Sequence, residues 1–182
     1  MKLATRDWHP PDHVSFASNH PDNPPPFTSS TTITHPDNPS KTYETTLWPD
    51  HCIANTHGSQ LVPELNADRL QLTLDKGQDP TLEMYSAFYD PFQIQHSGLS
   101  MLLRINGFTH VFIVGLAADY CVKATAEHAK EEGYETYIVE EGTRAVSPEK
   151  WPEVREGLVN KGIKVVSFEG EEVGRVRELP ER

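Results

Sequence analysis

The chain has 182 residues, of which 36% are hydrophobic and 24% charged, with a formal net charge of -11. That length and composition suit one globular domain with a single sizeable core. The acidic balance offers no basic stripe to offset phosphate repulsion, which excludes nucleic acid and anionic membranes and leaves a neutral or cationic small molecule as the better-steered ligand.

Cys52 and Cys121 are the only cysteines, too few for a disulfide scaffold, so free thiols in a reducing compartment are expected. Met1-Lys2-Leu3-Ala4-Thr5-Arg6-Asp7 has no apolar stretch of signal-peptide length, and no run approaches the roughly 20 apolar residues of a membrane span. Leu179-Pro180-Glu181-Arg182 carries no targeting or lipidation signal. The expected setting is cytoplasmic.

In chain order, Lys2 to Thr5 reads as a short strand that runs into Asp7-Trp8-His9-Pro10-Pro11, where the prolines end regular structure. From Ser18 to Ser40 the chain is polar and rich in proline, and is expected to be a long loop inserted in a single domain of residues 1–182. Asp68 to Asp75, with Leu70, Leu72 and Leu74 alternating, predicts a half-buried strand. Gly98 to Asn106 predicts a helix stopped by Gly107. The continuous apolar run His110 to Gly115 suits a strand buried on both faces. Cys121 to Glu132 reads as a helix capped by Gly133, Glu135 to Val139 as a strand, Pro148 to Asn160 as a helix, and Ile163 to Phe168 as the last strand. This alternation implies parallel strands joined by right-handed crossovers, hence an α/β fold of three layers.

Four segments can carry chemistry, and each also has a plain structural reading. Asp7 and His9, at i and i+2 of an extended segment, point the same way and can share a cation, or sit in a solvated loop. In Trp48-Pro49-Asp50-His51-Cys52, His51 can supply a second imidazole to make a two-histidine, one-carboxylate set, or the segment is ordinary loop packing. Lys76 stands at the carboxyl end of a predicted strand, where α/β proteins place their sites, although most such lysines are solvated. In Gly115-Leu116-Ala117-Ala118-Asp119-Tyr120-Cys121-Val122-Lys123-Ala124-Thr125 a buried strand turns and delivers Cys121 at a helix N-terminus, whose amides favour thiolate over thiol. An inert buried cysteine is the alternative.

Taken together these segments resemble the nicotinamidase/pyrazinamidase family of the isochorismatase-like cysteine hydrolases, in wording closest to the fungal type. The resemblance runs in order over nearly the whole chain and takes in Ser15-Phe16-Ala17-Ser18-Asn19-His20 and Tyr85-Ser86-Ala87-Phe88. The Cys121 motif places the superfamily, while Asp-x-His with Trp-Pro-x-His-Cys separates nicotinamidases from metal-free isochorismatases. The resemblance implies that Asp7, His9 and His51 bind a divalent metal, expected to be zinc. It implies that Cys121 attacks the carboxamide of nicotinamide, or of pyrazinamide, that Lys76 stabilises its thiolate, and that the amides of Ala117 and Cys121 form the oxyanion hole. Trp48 and Tyr85, and less strongly Tyr120, would wall the flat ring, and Leu116-Ala117 would be a cis peptide. His13, His20, His35, His57, His96, His110 and His128 match no functional position.

The family's first strand ends in a general-base aspartate, in a motif like Val-Asp-x-Gln-x-Asp-Phe, and nothing like it stands here. The expectation is a Rossmann-like sheet of family order 3-2-1-4-5-6 with its first strand and helix missing, and slow turnover for want of the aspartate. A remnant that binds without catalysis, or a hydrolase of another amide or an enol ether, remains open, as does a homo-oligomer.

Overall fold

The computed structural model describes residues 1–179; the last three residues, on which part of the reading of the C-terminus rests, lie outside the described residues. The chain divides into two compact units, one of Met1–Met84 with Tyr89–Ser97, the other of Tyr85–Phe88 with the chain from Gly98 on.

In the first unit, β1 (Leu3–Asp7) pairs in parallel with β4 (Leu72–Lys76), in a register that sets Asp7 beside Lys76 at the carboxyl ends of both strands. Trp8 extends the ladder by donating its N–H to the Lys76 carbonyl at 2.9 Å. The predicted strand from Asp68 starts later, because Ala67–Arg69 forms a 3-10 turn.

The polar stretch 18–40 is not all loop. Ser30–His35 forms β2, which pairs antiparallel with β3 (Asn38–Thr46) across Pro36-Asp37. Threonines at 31, 32, 34, 42, 45 and 46 have the branched Cβ that favours strands, whatever their polarity. Ile33 and Thr45 are the buried positions of the pair, so the hydrophobic alternation that marks a strand is nearly absent.

In the second unit, β5 (His110–Leu116), β6 (Glu135–Arg144) and β7 (Lys164–Val166) form a parallel sheet in that order. The parallel strands form two sheets, β1-β4 and β5-β6-β7, the two parts into which the order 3-2-1-4-5-6 divides without its first strand. The helices are α1 (Leu99–Ile105), α2 (Lys123–Glu131), α3 (Trp151–Asn160) and α4 (Glu171–Arg177). Ile113, Val122, Ala126, Ile138, Leu158 and Ile163 make its core. Helix α1 stops where Gly107 takes φ +67. Helix α4, which no hydrophobic period announces, carries Glu171 and Glu172 in its first turn and Arg175 and Arg177 in its last, each charge suited to the dipole end it occupies. The fold is α/β, as expected, and the Leu116–Ala117 peptide is cis.

Candidate functional site

The first unit brings Asp7, His9 and His51 together. His9 follows β1 and makes an isolated parallel bridge with Ile53. Its N–H donates to the Cys52 carbonyl at 3.1 Å, and Ala54 donates back to the His9 carbonyl at 2.8 Å. That bridge carries His51 to the end of β1. His9 Nε2 and His51 Nε2 each lie 3.9 Å from Asp7 Oδ2, and the ligand atoms of the three residues all fall within 4.8 Å of one another. Two ligands at the usual 2.0–2.2 Å from one zinc ion span at most about 4.0–4.4 Å, which the 3.9 Å pairs satisfy.

The hydrogen bonds around the rings decide what those atoms can do. His9 Nδ1 donates to the Gly77 carbonyl at 2.8 Å, and His51 Nδ1 to the Pro49 carbonyl at 2.8 Å. A carbonyl only accepts, so both Nδ1 atoms carry a proton, which leaves Nε2 on the carboxylate side as the atom that can offer a lone pair. Three acceptors face one another, and a cation is what such a set accommodates. Burial holds the His9 imidazole below its ordinary pKa despite the pull of Asp7. Burial pushes the Asp7 carboxyl up, but the Lys76 ammonium, then His9 and His51, outweigh it and hold it below the carboxylate range. A neutral imidazole and an ionised carboxylate are the states that bind metal.

Asp7 divides its oxygens. Oδ1 takes the Lys76 ammonium at 2.5 Å, leaving Oδ2 to the histidine side. Lys76 is buried and also donates to the Met84 carbonyl at 3.1 Å; an ammonium so removed from water needs both partners.

Sequence reasoning passed over three residues here. Gly77 has φ +66, and a Cβ built on it would lie 2.4 Å from His9 Cε1, so only glycine lets the ring approach its carbonyl. His13, which matches no functional position, is fully buried with its ring centroid 4.2 Å from that of His9. Its Nε2 donates to the Leu82 carbonyl at 3.1 Å and its Nδ1 accepts from the Ser15 hydroxyl at 2.8 Å. Both nitrogens are engaged, so His13 packs the site and is no fourth ligand. Glu83 is buried and hydrogen-bonded to Ser15, and burial, opposed by Lys76, pushes its carboxyl up to about 7. Ser15 spends its one hydroxyl proton on His13, so its oxygen is free to receive the proton of neutral Glu83. The Tyr43 hydroxyl on β3 fixes that residue's backbone, accepting from Glu83 N–H at 3.0 Å and donating to its carbonyl at 3.2 Å.

The raised Glu83 value has a measurable sign. With a folded pKa of about 7 against an ordinary 4.5, the native state holds the extra proton, so stability falls as pH rises from about 4.5 to 7. In metal-free protein Glu83→Gln, which keeps the shape and a donor for Ser15, should remove a penalty of about 3 kcal/mol above pH 7 and change little below pH 4.5. Urea unfolding across that range tests it; parallel stability curves for the two proteins would refute it.

The second unit holds the remaining candidates. After β5 the chain turns at Ala117, whose carbonyl accepts from Tyr120 N–H at 3.1 Å and Val122 N–H at 3.0 Å. A π-helical turn, Ala118–Val122, leads into α2. Cys121 therefore does not open the helix as expected; it is the fourth residue of that turn, just ahead of α2. Asp119 accepts the N–H groups of Val146 and Ser147, both at 2.9 Å, and so pins the turn. The Tyr85 ring lies 5.4 Å from that of Tyr120, and Ala87 donates to Thr125 Oγ1 on α2 at 3.0 Å. Tyr85, Tyr120, Ala117 and Cys121 thus share one unit, while Trp48, with its ring 6.5 Å from that of His51, belongs to the other.

The isochorismatase domain model matches residues 21–169. The nicotinamidase of Schizosaccharomyces pombe is 39% identical over 165 residues, 91% of this chain and 73% of that protein. A yeast nicotinamidase bound to the inhibitor nicotinaldehyde superposes with a TM-score of 0.83 at 39% identity, covering 91% of this chain and 78% of that one. The pyrazinamidase of Pyrococcus horikoshii in complex with zinc superposes with a TM-score of 0.66 at 32% identity, covering 91% of this chain and 74% of that one. The chain belongs to the isochorismatase family.

Proposed function

We propose that this chain is a nicotinamidase, a hydrolase that converts nicotinamide to nicotinate and ammonia in the salvage of NAD. The observation that carries the reading is the convergence of Asp7 Oδ2, His9 Nε2 and His51 Nε2, three acceptors with no donor among them. A divalent metal held there, zinc by analogy with the zinc-bound pyrazinamidase, supplies a Lewis acid for the pyridine nitrogen.

In this reading the Cys121 thiolate attacks the carboxamide carbon and the carbonyl oxygen becomes an oxyanion that accepts from the amides of Ala117 and Cys121. The C–N bond breaks, ammonia leaves with the proton that the Cys121 thiol gave up on ionising, and the acyl group remains as a thioester. Water then cleaves the C–S bond, giving nicotinate and the thiol. Lys76, which pairs with Asp7, is assigned the role of favouring the thiolate. Trp48, Tyr85 and Tyr120 contact the flat ring. Both cysteines are free, and no helix among the described residues is long and apolar enough to cross a membrane; a cytoplasmic setting completes the proposal.

The test is ammonia release from nicotinamide by zinc-loaded protein, with nicotinate binding measured by calorimetry. The expected result is hydrolysis that a chelator abolishes. Zinc-loaded protein that neither releases ammonia nor binds nicotinate would overturn the assignment.

A further inference from the structure

Asn23-Pro24-Pro25-Pro26-Phe27 is a stretch that the proposed chemistry leaves unused. Three successive prolines make a stiff arm, and Phe27 at its end is 56% exposed. The ring is nonetheless held in place. Phe27 donates its N–H to the Leu47 carbonyl at 2.7 Å, Leu47 donates to Ser29 at 2.9 Å, and Ser29 donates back to Pro25 at 3.2 Å. Phe27 also has φ +67, an unfavourable conformation for an aromatic residue that persists only where the surroundings impose it.

What the arm presents its ring to is Trp48, edge to face with centroids 5.6 Å apart and planes at 89°. Trp48 in turn stands 6.5 Å from His51. Side-chain exposure rises through the ligand set, from 3% at His9 and 23% at Asp7 to 34% at His51. The set therefore opens to solvent on the His51 side, where fully buried Phe16 and half-buried Trp48 stand 5.4 and 6.5 Å from His51 and Phe27 packs on Trp48. Phe27 contributes little burial of its own, so its restraint is best explained by a ligand contact.

We infer that Phe27 is a specificity-determining residue: with Trp48 it forms an aromatic rim on the open, His51 side of the ligand set. That rim selects flat heteroaromatic carboxamides over saturated-ring or aliphatic amides. The inference rests on the amidase reading above and adds the residue that sets ring preference. Aromatic pairs prefer edge-to-face or offset geometry and gain beyond their buried area, which a saturated ring cannot share.

The experiment compares zinc-loaded wild type with Phe27→Ala, Phe27→Leu and Phe27→Trp, using nicotinamide and its saturated analogue piperidine-3-carboxamide as substrates and nicotinate as a binding probe. Phe27→Ala and Phe27→Leu should raise KM for nicotinamide and Kd for nicotinate about 2- to 10-fold, with kcat little changed, and Phe27→Trp should restore both. The preference for the aromatic amide should fall by the same factor. Active wild type with unchanged KM and Kd in Phe27→Ala would overturn this inference alone, as would a loss that Phe27→Trp does not restore. Wild type that neither hydrolyses nicotinamide nor binds nicotinate would overturn the amidase reading and this inference with it.

Discussion

Replacing Cys121 by alanine is expected to reduce nicotinamide hydrolysis about 10³-fold or more while leaving zinc binding unchanged. The size follows from the chemistry, since the acyl group has no sulfur to move to and the two-step route through a thioester is lost. Cys52 is a poor substitute, because burial, reinforced by Asp7, raises its thiol pKa and keeps it protonated. Limiting iodoacetamide should accordingly label Cys121 first in folded protein. Nicotinaldehyde gives a readout free of turnover: a thiolate adds to the aldehyde carbon to form a thiohemiacetal, visible by mass spectrometry in wild type and absent from Cys121→Ala. Zinc stoichiometry shows whether the variant's ligand set is intact, since Asp7, His9 and His51 all belong to the other unit. A variant that binds zinc and keeps more than about a tenth of the wild-type rate would remove Cys121 from the mechanism, because a nucleophile's loss costs far more than that.

The sequence made some of this legible and concealed the rest for physical reasons. The β5 strand stands out as a continuous apolar run, although Ile113 is its one buried residue and Val114 and Leu116 are exposed, not buried on both faces as expected; α2 stands out because Val122, Ala126 and Ala129 recur on one helical face. The metal set is readable in part: Asp7 and His9 are i and i+2, and Trp-Pro-x-His supplies a second imidazole. What brings that imidazole over is the His9–Ile53 bridge, a backbone pairing with no side-chain signature. The β2–β3 hairpin hides behind threonine and serine, whose strand preference lies in Cβ branching and not in hydrophobicity. Glu83 reads as an ordinary surface acid until Tyr43, 40 residues earlier, is seen to grip its backbone. The π-helical turn displaces Cys121 from the first residue of its helix, because the pattern from Val122 onward says nothing of the extra turn before it.

Gly77→Ala should weaken zinc affinity by about 10- to 100-fold, the usual scale for losing a group that orients a metal-bound histidine. Gly77 supplies two things at once: a carbonyl that fixes the His9 tautomer at 2.8 Å, and a bare Cα against which the ring lies. A methyl carbon there would stand 2.4 Å from His9 Cε1 and 2.7 Å from His9 Nδ1, about 1 Å inside ordinary carbon contact. The ring must swing away, breaking the bond to Gly77 and turning Nε2 from Asp7. The same substitution forces alanine into φ +66, a strain that lowers stability by about 1–2 kcal/mol wherever it occurs. Gly133→Ala isolates that second effect, because Gly133 has φ +93 and nothing within 4 Å of its built Cβ. Both variants should lose similar stability in metal-free protein, measured by urea unfolding, and only Gly77→Ala should lose affinity in competition with a chromophoric chelator. If Gly133→Ala lost zinc equally, the defect would be global strain; if Gly77→Ala bound zinc as wild type does, His9 would not be a ligand in the position described.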